Sequence, residues 1–120
     1  MNKLTLVIGA NTRTNSYANM AVSRLLQNNI DVIALGINQG KIENIEITTE
    51  FPKDKNIDTV TLYINPKRQE EYYEKIIGLK PKRVIFNPGT ENPEFKNLLI
   101  KNNISVLEQC TLVMLSLGEY

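Results

Sequence analysis

The sequence predicts an α/β fold, an open, doubly wound parallel sheet with helices on both faces in three layers. Three observations predict it. Short, β-branched apolar runs alternate with segments of helical periodicity along the chain. The first run, Leu4–Ile8, ends on Gly9, crosses a polar loop and enters a helical pattern near Ser16. There the free N–H groups and positive end of the first helix face whatever lies beyond the strand tips. The later strand ends also run into turn residues: Gly36-Ile37-Asn38, Asn65-Pro66 and Asn87-Pro88-Gly89-Thr90.

The elements follow in order. The first helix is expected from about Ser16 to Asn28. Tyr17, Met20, Ala21 and Leu25, with Val22 and Leu26 beside them, form its apolar face. Asn28-Asn29 ends it, since asparagine tolerates the left-handed cap position. The second strand is Asp31–Leu35, closed by Gly36, and Ile42, Ile45 and Ile47 suit a short extra strand. Pro52–Asn56 is a charged linker between elements. The third strand, Thr59–Ile64, runs into Asn65-Pro66, an N-cap followed by proline at the first helical position. The second helix then continues to about Leu79 with Tyr72, Tyr73, Ile76 and Ile77 buried, and Lys80-Pro81 breaks it. Arg83–Phe86 is the fourth strand. Asn92-Pro93 starts the third helix by the same device, with Phe95, Leu98 and Leu99 inward and Asn102-Asn103 at its end. Ile104–Leu107 is the fifth strand, and Cys110–Leu117 packs as a final turn or short helix. Right-handed crossovers between such strands give a parallel sheet. The default order for five strands is 3-2-1-4-5, with a ligand at the carboxyl edge where the order reverses.

Composition narrows the function. The chain has 120 residues, enough for one domain, and a net charge of +1, which suggests neither a nucleic-acid footprint nor a membrane-surface patch. It has no histidine and one cysteine, Cys110. A zinc site of the common type, a His-activated nucleophile and an internal disulfide are thus unavailable within one chain, and the expected metal set is empty. The apolar run from Leu4 to Ala10 is too short for a convincing signal peptide or a membrane span, so the expectation is a cytoplasmic protein.

The strand tips carry the chemistry. The first loop is not Gly-x-Gly-x-x-Gly, because Asn11 stands where a second glycine would let the backbone meet a pyrophosphate. It offers Asn11, Thr12, Asn15 and Ser16 as hydrogen-bonding groups and Arg13 as a phosphate clamp. A dinucleotide site usually places Asp or Glu after the second strand to hold ribose hydroxyls. Here the tip reads Leu35-Gly36-Ile37-Asn38, without an acid, and Lys41 follows. A missing acid and a nearby cation favour a phosphorylated ribose.

The chain resembles the small stand-alone CoA-binding domain proteins, which are similar to the N-terminal nucleotide-binding domain of the succinyl-CoA synthetase alpha subunit. The resemblance rests on Val7–Asn11 through Ser16-Tyr17, Val32–Leu35, Thr61–Pro66, Asn87–Glu94 and Cys110 near the end. It covers essentially the whole chain, and Asn87-Pro88-Gly89-Thr90-Glu91-Asn92 is its most specific part. It implies a Rossmann-like fold holding coenzyme A at the carboxyl edge. Gly9, Ala10, Asn11, Thr12 and Arg13, with Ser16 and Tyr17, would take the phosphates. Gly36, Asn38 and Lys41 would border the adenosine end. Tyr63, Asn65 and Pro66 would line the next tip, and Asn87, Gly89 and Thr90 the one after. An Asn-Pro turn is usual after the second strand in this family, and Gly36–Gly40 departs from it.

The synthetase's chemistry uses a histidine in a second domain, and this chain has neither. Cys110 sits in an apolar context that suits a buried, inert thiol; the sharper reading is a thiol contact, with a mixed disulfide to CoA under oxidation. Glu91 reads as an anion near a helix N-terminus. No catalytic residue is assigned, and the leading expectation is a binding, carrier or regulatory module; small α/β domains often dimerise, so a homodimer is open to it. Two alternatives are an NAD(P)-binding redox enzyme or sensor and a ligand-free interaction protein on the same scaffold.

Overall fold

Strand β1 (Thr5–Ile8) is buried along its whole length, and this fits its place at the centre of the sheet. The computed structural model describes residues 3–120. The other strands are β2 (Val32–Leu35), β3 (Gly40–Ile42), β4 (Ile45–Thr48), β5 (Thr59–Leu62), β6 (Arg83–Phe86) and β7 (Ser105–Glu108). The helices are α1 (Tyr17–Gln27), α2 (Pro66–Gln69), α3 (Tyr73–Leu79), α4 (Pro93–Lys101) and α5 (Thr111–Ser116). The α/β class and the parallel sheet are as expected.

The strand order is β3-β4-β2-β1-β5-β6-β7. This corrects the expected 3-2-1-4-5 arrangement of five strands. Two further strands come from the isoleucine-bearing stretch after β2. There β4 pairs parallel with β2, and β3 turns back antiparallel on β4. That hairpin occupies the outer edge of β2, and the chain returns to the far side of β1, where Thr5–Ile8 pair with Thr59–Leu62. The five core strands are therefore ordered 2-1-3-4-5, and the reversal falls between β1 and β5.

Alternate residues of β1 serve opposite layers. Leu6 and Ile8 join Val60, Leu62, Val84 and Phe86 under Ile76, Phe95 and Leu99 of α3 and α4. Val7 and Ala34 face Ala18, Val22 and Leu25 of α1. The hairpin's Ile42 and Ile47 close that second core, and α5 docks on the same side through Thr111 and Thr61, whose hydroxyls lie 2.8 Å apart.

The caps expected at Asn65 and Asn92 form, and Ser16 caps α1 as well. Ser16, Asn65 and Asn92 each accept a backbone N–H from three residues on. Asn29 and Asn103 take positive φ of 60° and 64° just past their helices. The predicted second helix is interrupted: Glu70–Tyr72 form a 3-10 turn between α2 and α3. The first helix also differs in its inward face. Tyr17 is 69% exposed. Asn19 is buried instead, and its side-chain amide donates to the Asn11 carbonyl at 2.9 Å.

Candidate functional site

The reversal between β1 and β5 places their two tips side by side. Gly9 has φ of +103°, and a Cβ there would stand 3.0 Å from the Tyr63 carbonyl oxygen. Gly36 is required for a similar reason, since a Cβ would collide with the Ala10 carbonyl oxygen. The backbone is thus pressed together at the tips of β2, β1 and β5, and the space beyond them is open.

Two adjoining concavities occupy that space. The first, about 320 Å³, runs from Ile37 and Asn38 across Gly9–Arg13 to Tyr63 and Arg68. The second, about 280 Å³, lies between Ser16-Tyr17-Ala18 of the α1 start and Pro88-Gly89-Thr90, with Ile64 and Asn65 on its floor. Both are lined by Gly9, Asn11, Arg13 and Tyr63. Together they form a cleft with two arms meeting over the β1/β5 junction. Among the described residues no acidic side chain lines either arm, whereas Arg13 and Arg68 do. Among the described residues neither arginine forms an ion pair with a carboxylate.

The loop after β1 is held by its own side chains. Asn11 Oδ1 accepts from the Arg13 backbone N–H at 3.0 Å and from Ser16 Oγ at 2.9 Å. Ser16 Oγ in turn accepts the Asn19 N–H at 3.1 Å. Asn11 therefore shapes the loop, while Thr12 and Arg13 remain exposed for a ligand. The first N–H groups of the eleven-residue α1 open on the second arm and favour negative charge.

Tyr63 is the shared wall of the two arms. Its hydroxyl is buried without a hydrogen-bond partner among the described residues. Thr61 and Thr111 lie beside it, but their hydroxyls are engaged with each other, and Thr61 also accepts from Asn87 at 2.6 Å. Burial pushes the Tyr63 phenol well above its ordinary range, the Thr111 hydroxyl offsets part of this, and Cys110 adds to it. The group is a neutral phenol at physiological pH. Tyr63→Phe is expected to leave the free protein as stable as before or up to about 1 kcal/mol more stable, because a buried, unmade hydrogen bond itself costs about 1–3 kcal/mol. Denaturant unfolding checks this, and a clear loss of stability would show that the hydroxyl is held.

Of the residues the sequence singles out, Gly9, Ala10, Asn11, Thr12, Arg13, Ser16, Tyr17, Asn38, Tyr63, Asn65, Gly89 and Thr90 line the cleft. Gly36, Lys41, Pro66, Asn87 and Cys110 do not. Lys41 stands exposed on β3 opposite Glu46. Asn87 is 2% exposed and turned toward α5. Pro66 starts α2, and Cys110, half-buried, is the cap position of α5. Sequence reasoning missed Ala18, Ile37, Ile64, Arg68 and Pro88 as lining residues. Ile37 is 69% exposed, a flat apolar surface at the first arm's rim. The signal for Arg68 was its place three residues after the Asn65 cap, in the turn that follows a strand tip.

Among the described residues no group of three or more Cys, Asp or Glu side chains is arranged to hold a metal ion, and no helix is long and apolar enough to cross a membrane.

A model of the CoA binding domain family matches residues 3–116. No curated protein matches the chain. Among solved structures, the chain is similar to an uncharacterized protein at 47% identity and TM-score 0.96, covering 100% of this chain and 99% of that one. It is similar to a conserved hypothetical protein from Pyrococcus furiosus at 26% identity and TM-score 0.78, covering 94% and 98%. A protein from Thermus thermophilus shares the fold at 18% identity and TM-score 0.87, covering 99% and 91%.

Proposed function

The chain belongs to the CoA binding domain family, and from that membership we propose that it binds coenzyme A or a CoA thioester in the two-armed cleft. The observation that carries the reading is the pair of arms meeting at Gly9, Arg13 and Tyr63. A ligand that fits is elongated, anionic at its middle and different at its two ends. Coenzyme A has that form: a nucleotide, a diphosphate and a neutral amide arm. The diphosphate would lie over Gly9 and the α1 start, where backbone N–H groups and Arg13 favour it. The adenine would rest against Ile37 in the first arm, and the pantetheine arm would pass Tyr17 toward Gly89 and Thr90 in the second.

We read the protein as a binding, carrier or regulatory module. Burial pushes the Tyr63 phenol above its ordinary range, and its hydroxyl is buried beside Thr61 and Thr111. A buried, neutral phenol is unsuited to general base work.

Thermal unfolding with CoA, acetyl-CoA and NAD tests the reading. A ligand at 100 times its dissociation constant stabilises by about 2.7 kcal/mol, which for a domain of this size raises the midpoint by roughly 10 °C. The expected result is a shift with CoA and none with NAD. A shift with NAD alone would make this a dinucleotide protein, and no shift with any of them would remove the CoA reading. Arg13→Ala is expected to weaken CoA about 10-fold, the size of one lost charge-assisted hydrogen bond. Unchanged affinity in calorimetry would place Arg13 in solvent.

A further inference from the structure

We infer that Arg68 is the residue that reads the phosphorylated ribose of the ligand, and so separates CoA from dephospho-CoA. The inference rests on the CoA reading and deepens it. Sequence reasoning gives this task to Lys41, the cation after β2, or to Arg13. The structure places Lys41 exposed on the hairpin, opposite Glu46 and outside both arms. Arg68 comes from the other side of the cleft and lines the first arm.

The division of the two arms decides between the phosphates. Arg13 borders both arms and so sits at their junction, where an elongated ligand has its middle. Arg68 borders only the arm that contains Ile37 and Asn38. A cation confined to the nucleotide half meets the charge found only in that half, the phosphate on the ribose. Arg68 has no ion pair with a carboxylate among the described residues, so its guanidinium is free for an anion.

Its backbone is also held before any ligand arrives. Pro66 sets the first helical position, and the Arg68 N–H donates to Asn65 Oδ1 at 2.9 Å. The next residue, Gln69, is buried and donates from Nε2 to the carbonyl oxygens of Ile64 and Thr90 at 2.9 and 2.8 Å. The guanidinium therefore projects from a pinned turn.

The test is calorimetric affinity for CoA and dephospho-CoA in the wild type, Arg68→Ala and Lys41→Ala. The wild type is expected to prefer CoA by about 10-fold or more, the usual worth of a charge-assisted contact. In Arg68→Ala that preference should collapse toward one, through loss of CoA affinity with dephospho-CoA unchanged, and Lys41→Ala should keep it. Arg68 is exposed, so the variant's unfolding midpoint without ligand should match the wild type. Equal losses for both ligands would assign Arg68 to the diphosphate and overturn the inference. So would an intact preference in Arg68→Ala, or its collapse in Lys41→Ala. If neither ligand binds the wild type, the CoA reading itself fails.

Discussion

Asn87→Leu is expected to lower the unfolding midpoint by roughly 12 °C, an effect of about 3 kcal/mol for a domain of this length. The side chain is 2% exposed and uses both ends of its amide. Nδ2 donates to Thr61 Oγ1 at 2.6 Å and to the Leu62 carbonyl oxygen at 2.8 Å. Oδ1 accepts the backbone N–H of Thr111 at 2.9 Å. Leucine keeps the volume and removes all three bonds. The Thr111 N–H then starts α5 with no acceptor, in a place water does not reach, and each such group costs about 1–3 kcal/mol. Because Asn87, Thr61 and Thr111 together dock α5 on β5, hydrogen exchange over residues 111–116 should quicken more than over β1. A midpoint within about 4 °C of the wild type, near 1 kcal/mol, would mean that the amide is dispensable.

Asn87 also shows where sequence reasoning reaches its limit. A polar residue at a strand tip next to Pro-Gly reads as a ligand contact, and its neighbours Gly89 and Thr90 do line the cleft. Asn87 is drawn the other way by α5, a six-residue helix whose docking side has no periodic signal in so short a run. The elements themselves were legible because their causes are local. Ser16, Asn65-Pro66 and Asn92-Pro93 are caps wherever the chain goes. The strand order was not, because the apolar patterns of β2 and β5 suit either side of β1. The choice rests on the β3–β4 hairpin, whose pairing with β2 takes that edge. At the site, the loop after β1 was legible for the same local reason, with glycine, polar donors and arginine close together. Arg68 was not, since an exposed cation on a helical turn ordinarily faces solvent, and only the return of the chain beside β1 carries that turn over the cleft.

Gln69→Glu is expected to invert the usual pH dependence of stability. Gln69 is fully buried, with Nε2 between the carbonyl oxygens of Ile64 and Thr90 and Oε1 accepting Asn92 Nδ2 at 3.0 Å. A carboxylate of the same shape would turn an oxygen toward two carbonyl oxygens in a dry place. The folded protein therefore favours the protonated acid, which can still donate to one of the two carbonyls, so the acid's folded-state pKa rises above its unfolded value of about 4.3. Stability is then greatest below that unfolded value and is lost as pH rises toward the folded one, at about 1.4 kcal/mol per pH unit. Between pH 4.3 and 7 the loss reaches about 3.7 kcal/mol if the folded-state value lies above 7. Denaturant midpoints at pH 4.5 and 7 measure it, with the wild type as the control for every other carboxylate. The same substitution should weaken ligand binding at pH 7, because Gln69 ties the turn that carries Arg68 to the loop that carries Gly89 and Thr90. A variant whose stability relative to the wild type does not change with pH would show that the turn relaxes and admits water, and the pinned position given to Arg68 would fall with it.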